Sequence, residues 1–189
     1  MGRFEPKGST FRNVDERKIV ETDDHWFRPV NIKAGPDGAV YIADWYDSRL
    51  SHVDPRDTWH KSSGRIYRLR AKDSKTAYPN FDLSKLTNAQ LIKQLENRNK
   101  WFRQQALLQF ANRKDKSIVP RLTYILKTGN PDLALEALWA INASGGFNDE
   151  IAGIALSHPD QYVREWAVRL LGDRRKVSPA IGARVGALA

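Results

Sequence analysis

The side chains best suited to chemistry are concentrated in one loop. His52, Asp54, Asp57 and His60 fall within nine residues, with Asp44 and Asp47 just upstream. Imidazole and carboxylate together make a donor set for a divalent cation, calcium where oxygen dominates and zinc where nitrogen joins it. The spacing follows no defined metal motif, and Asp54-Pro55-Arg56-Asp57 also reads as a turn closed by an internal ion pair. Both readings of the loop stand at this point. Elsewhere the sequence holds no HExxH, no Gly-rich phosphate loop and no nucleophile elbow. Stand-alone hydrolase or nucleotide chemistry is therefore not expected. The chain has no Cys, which excludes disulfides, thiolate zinc sites, iron–sulfur clusters and covalently attached c-type haem.

The elements that must position these residues come in two periods. Residues 28–70 alternate with period two: Val30, Ile32 and Ala34 share one face, with Asn31 and Lys33 opposite, and Val40 and Ile42 resume the pattern. Between them Gly35-Pro36-Asp37-Gly38 reads as a hairpin turn, with Pro presetting φ, Asp tolerated next and Gly taking the left-handed conformation. A third strand, Gly64 to Leu69, follows a polar loop. Three strands and a long loop do not make a free-standing sheet with a buried face and protected edges. The β part is expected to need neighbours.

After a linker at 73–82 the period becomes helical. Thr87-Asn88-Ala89-Gln90 fits a capping box, opening a helix that carries Leu91, Ile92 and Leu95. A second helix carries Trp101, Phe102, Ala106, Leu107 and Phe110. The pattern then recurs every 30 or 31 residues: Leu95, Leu126 and Leu156; Phe102, Leu133 and Val163; Ala106, Ala137 and Ala167. Asn99, Asn130 and Asp160 are placed to cap the second helix of each unit, and Pro131 and Pro159 suit its first turn. Residues 83–189 thus read as an α-solenoid of HEAT-like or armadillo-type helical pairs, three complete and a fourth beginning at Ser178-Pro179. Arg103 and Arg164 occupy equivalent positions, each expected to pair with a carboxylate or carbonyl of the next repeat. Trp45, Trp59, Trp139 and Trp166 are expected to fill core and blade interfaces, and His158, before Pro159, is expected to be structural.

The stretch from Trp26 to Tyr46, WFRPVNIKAGPDGAVYIADWY, together with Gly64-Arg65-Ile66-Tyr67-Arg68, resembles the closing blade of glucose/sorbosone-dehydrogenase-type β-propellers. The whole chain looks most like the large membrane-associated dehydrogenases of planctomycetes and verrucomicrobia, in which a propeller precedes HEAT-like repeats and a c-type cytochrome domain. The resemblance implies a multidomain β plus α fold: residues 1–72 as the terminal blade of an incomplete propeller, then the linker and the solenoid. It implies the C-terminal portion of a quinoprotein-like sugar or alcohol dehydrogenase, inactive alone, with pyrroloquinoline quinone (PQQ) and haem c belonging to the parent. Arg28 stands where relatives carry an Arg that reaches the quinone, and a guanidinium fork suits quinone oxygens. Trp26 stands where relatives have a second Arg, so the ligand set departs from theirs. His25 would lie beside Arg28 at the propeller mouth, where it could move protons. The alternative role for Arg28 is to pin the blade to its neighbour.

The implied partners are the rest of the propeller and a cytochrome domain, in a periplasmic or cell-envelope setting. The alternative function is a non-catalytic protein-binding scaffold, with a protein partner on the solenoid face. The formal charge is +9, and 81–189 hold 16 Lys/Arg against 10 Asp/Glu. The basic runs 113–116 and 174–176 fall between helices rather than on one face, so nucleic acid is not an expected partner. No apolar run approaches the ~20 residues of a membrane helix. Met1 to Pro6 lacks the charged-then-apolar plan of a secretion signal.

Overall fold

A computed structural model describes residues 2–7, 10–15, 18–48, 60, 62–73, 82–175 and 177–188. The chain divides into two compact units, one of residues 1–33 and 39–72, the other of 34–38 and 73–189. The fold is mixed: two small antiparallel sheets and seven α-helices. No closed barrel or propeller is present among the described residues. No helix among them is long and apolar enough to cross a membrane. Most of the linker expected at 73–82 lies outside the described residues.

The β unit opens with a hairpin that the sequence reading did not anticipate, β1 (Gly2–Lys7) paired with β2 (Thr10–Asp15). Phe4, Pro6 and Phe11 share one of its faces but are exposed, so no buried apolar stripe marks it. Glu5 accepts from Arg3 on its own strand at 2.7 Å and from Arg12 across the strands at 2.6 Å. The second sheet has the order β3 (Pro29–Ala34), β4 (Val40–Asp44), β5 (Arg65–Leu69). The turn forms as expected: Gly38 has φ 74° and its N–H donates to the Gly35 carbonyl at 3.1 Å. Only glycine takes that conformation without a steric penalty.

Register decides which faces are buried. Trp45 N–H donates to the Arg28 carbonyl at 2.9 Å, which sets Val30 opposite Ala43 and Ile32 opposite Tyr41. Ala43 in turn faces Ile66 on β5. Directly opposed residues share a face, so Val30, Ile32, Ala43 and Ile66 form one apolar surface. The other face presents Ile42, which is buried, and Tyr67, with Val20, Thr22 and Phe27 of the preceding chain beside them, while Asn31 and Lys33 on it are exposed. Phe27 meets Tyr67 edge-on with ring centroids 5.8 Å apart. One face is partly covered; the other is open, with Val30 and Ile32 each 64% and Ile66 76% exposed.

The helical unit contains α1 (Asn88–Gln94), α2 (Lys100–Arg113), α3 (Val119–Thr128), α4 (Pro131–Ala143), α5 (Asp149–Leu156), α6 (Gln161–Asp173) and α7 (Pro179–Gly186). Helices pair as α1 with α2, α3 with α4 and α5 with α6, while α2, α4 and α6 pack in succession. The capping box is complete: Thr87 Oγ1 accepts from Gln90 N–H, and Gln90 Oε1 accepts from Thr87 N–H at 2.8 Å. Asn99, Asn130 and Asp160 are the N-caps of α2, α4 and α6. Pro131 begins α4, and Ser178 caps α7 with Pro179 as its first residue. Pro159 precedes the Asp160 cap rather than entering the first turn.

The repeat positions identify the core. Ala106, Ala137 and Ala167, on the second helices that pack in succession, are fully buried. Leu95, Leu126 and Leu156 are at most 4% exposed. His158 is also buried, and its Nδ1 accepts from Asp160 N–H at 3.1 Å, a structural role as expected.

Candidate functional site

In the β unit, Asp44 organises the backbone around Arg28. Its Oδ1 accepts from Arg28 N–H at 2.7 Å and from Tyr46 N–H at 3.0 Å. Arg28 is half-buried and folds back, Nη1 donating to the Phe27 carbonyl at 3.1 Å. Its Nε and Asp44 Oδ2 are buried without a hydrogen-bond partner. His25 is exposed, and the ring placed near the Arg28 strand is that of Trp26, 4.3 Å from the His60 ring.

Of the residues considered as metal ligands, His52, Asp54 and Asp57 lie outside the described residues, as does Trp59. His60 is described and exposed, and its N–H donates to Asp47 Oδ2 at 3.3 Å, so the backbone and not the imidazole meets that carboxylate. No cluster of three or more His, Cys, Asp or Glu suited to a metal occurs among the described residues. Trp45, expected at a core or blade interface, is 52% exposed.

The helical unit holds a groove of about 720 Å³ among the described residues, lined by the turn before α2, the start of α2, and α4 as far as Trp139. Arg103 stands at its centre. Nε donates to Glu136 Oε1 at 2.7 Å, and Nη1 donates to the carbonyls of Asn97 at 2.7 Å and Arg98 at 3.2 Å. The pair to Glu136 is the link to the next repeat expected from sequence. Arg164 repeats only half of it: Nη1 donates to His158 and Pro159 carbonyls at 2.8 and 2.7 Å, within its own turn. Glu136 lies 33 residues after Arg103; the same step from Arg164 runs past residue 189, so the sequence given holds no equivalent partner for it. The two arginines thus share a latch onto the turn before their own helix, and only Arg103 also bridges repeats.

Glu136 was not singled out by sequence. It is 8% exposed, and its Oε2 has no hydrogen-bond partner. Trp139, one helical turn on, leaves its Nε1 buried and equally unpartnered, while its ring meets Trp166 edge-on at 5.0 Å. A glutamate on the buried face of α4, among Ala134, Ala137 and Leu138, was the available signal: a lone carboxylate in an apolar stripe is uncommon without a partner.

Comparison with known proteins adds one observation. No curated protein and no solved structure matches the chain. Residues 2–73, the β unit, match a domain of unknown function, DUF7133.

Proposed function

We propose that the β unit is the terminal blade of a larger propeller, in the C-terminal portion of a quinoprotein-like sugar or alcohol dehydrogenase. The helical pairs are a HEAT-like spacer towards a haem domain. The observation that supports this reading is the open apolar face of the β3-β4-β5 sheet, where Val30, Ile32 and Ile66 stand exposed on a sheet whose other face is partly covered. Burying three such side chains is worth about 1.5–3 kcal/mol each, and stacked sheets are the usual means of burying them. In this reading PQQ and haem c serve the parent, which works in the periplasm or cell envelope. In this reading Arg28 is the residue of this chain that would meet a quinone oxygen.

The test is oxidation of aldoses and alcohols by the whole polypeptide that carries these residues, followed by an artificial electron acceptor with and without added PQQ. PQQ-dependent turnover that is lost on Ile66→Lys supports the reading. Turnover indifferent to PQQ, or absent for every aldose and alcohol tried, overturns it.

A further inference from the structure

We propose that the turn between α5 and α6 is an acid-sensitive hinge, with the neutral imidazole of His158 as its fastener. The inference stands on the helical unit alone and does not depend on the dehydrogenase reading. His158 is buried, and its Nδ1 accepts from Asp160 N–H at 3.1 Å. An imidazole nitrogen accepts only while it carries no proton, so the ring that makes this bond is neutral, with its hydrogen on Nε2.

The first helical pair shows the same turn closed without a titrating group. Two repeats earlier Asn97 holds the position of His158, and its Oδ1 accepts from Asn99 N–H at 2.9 Å. The rest of the turn matches residue for residue. Asn99 and Asp160 cap the helix that follows, accepting from Trp101 N–H and Tyr162 N–H. Arg103 donates through Nη1 to the carbonyls of Asn97 and Arg98, and Arg164 to those of His158 and Pro159. One geometry is thus closed once by an amide, which keeps its acceptor in acid, and once by an imidazole, which does not.

Protonation opens the turn for two reasons. The charged ring carries N–H on both nitrogens, so Nδ1 and Asp160 N–H become two donors face to face. The second reason is charge, because Arg164 already sets a guanidinium on the His158 carbonyl at 2.8 Å. The surrounding elements bring cations or engaged carboxylates. Asp160 Oδ1 is taken up by Tyr162 and Val163 N–H, and Glu165 beside Arg164 is exposed. The helices packed on α5 carry Arg121 and Lys127 on α3, and Arg184 on α7. On α4, packed on α6, Asp132 is exposed and Glu136 is paired with Arg103. Asp149 and Glu150 begin α5, at the end away from His158. No carboxylate among the described residues forms an ion pair with His158. The closed turn therefore belongs to pH above the range where imidazole ordinarily takes a proton, about 6.5 in water, and acid releases the head of α6.

The test is urea unfolding of the full chain at about pH 7.5 and about pH 5.5, for the parent and for His158→Asn, which installs the side chain of the first pair. A bond made only by the neutral ring contributes fully above the imidazole range and is lost as pH falls through it. Across this window the folding equilibrium constant of the parent is expected to fall about tenfold further than that of His158→Asn. Amide exchange within the parent chain gives a second readout that needs no variant. Protection of Asp160 N–H is expected to drop about tenfold on acidification while that of Asn99 N–H, held by Asn97, stays level. Nitrogen-15 spectra of the His158 ring at the higher pH are expected to place its proton on Nε2. Parallel falls for parent and variant overturn the proposal. So does Asp160 protection that tracks Asn99, or a ring proton found on Nδ1.

Discussion

Leu126 offers the most direct test of the repeat. It sits near the end of α3 with no exposed surface, in the series with Leu95 and Leu156. Truncation to Ala removes three carbons, about 0.8 kcal/mol each in transfer free energy. A cavity remains as well, because α3 is held against α4 and the surroundings relax only partly. The sum is about 3–4 kcal/mol, inside the ~2–5 kcal/mol range of buried Leu→Ala changes. Leu108 on α2 is 48% exposed and provides the control, since its truncation creates no enclosed cavity. It should cost under about 1 kcal/mol. The assay is urea unfolding of the full chain followed by far-ultraviolet circular dichroism, which reads the helical unit. The midpoint should fall steeply for Leu126→Ala and little for Leu108→Ala. Equal, small shifts for both would refute the assignment of the 30–31-residue period to a continuous buried stack.

Three further predictions follow from single contacts. Thr87→Ala removes one half of the capping box that closes α1 and should lower stability by about 1 kcal/mol, read by the same unfolding assay. Asp115 has its pKa lowered chiefly by the hydrogen bond from the Ser117 side chain, with further bonds from Ser117 N–H at 2.9 Å and Asn88 at 2.6 Å. Because the folded value lies below the unfolded one, its contribution is present above the ordinary carboxylate range and is lost as pH falls through the folded value. Asp115→Asn should therefore flatten the loss of stability between about pH 5 and pH 2, measured as urea midpoints across that window. Ile66→Lys places a charge on the open sheet face, where Ile66 is 76% exposed. In the isolated chain it should leave the unfolding midpoint within about 0.5 kcal/mol while lowering the binding of a hydrophobic dye.

Local chemistry was legible where a residue's role depends on its immediate neighbours along the chain. The Gly35–Gly38 turn, the Thr87–Gln90 box, the caps Asn99, Asn130 and Asp160, and the buried Ala106, Ala137 and Ala167 all came from residue type and spacing. Each such feature spends its hydrogen bond or its volume within a few residues, so periodicity reports it directly. The β1–β2 hairpin escaped because the apolar residues sharing one of its faces, Phe4 and Phe11, stay exposed, and one cross-strand pair, Arg12 to Glu5, ties the other face. The three-dimensional arrangement alone decided that Arg103 bridges to Glu136. It alone left Glu136 Oε2 and Trp139 Nε1 without partners in a groove. It alone left Val30, Ile32 and Ile66 uncovered. Which polar atom finds a partner, and which apolar face finds a cover, depends on chain segments distant in sequence, and spacing carries no record of that.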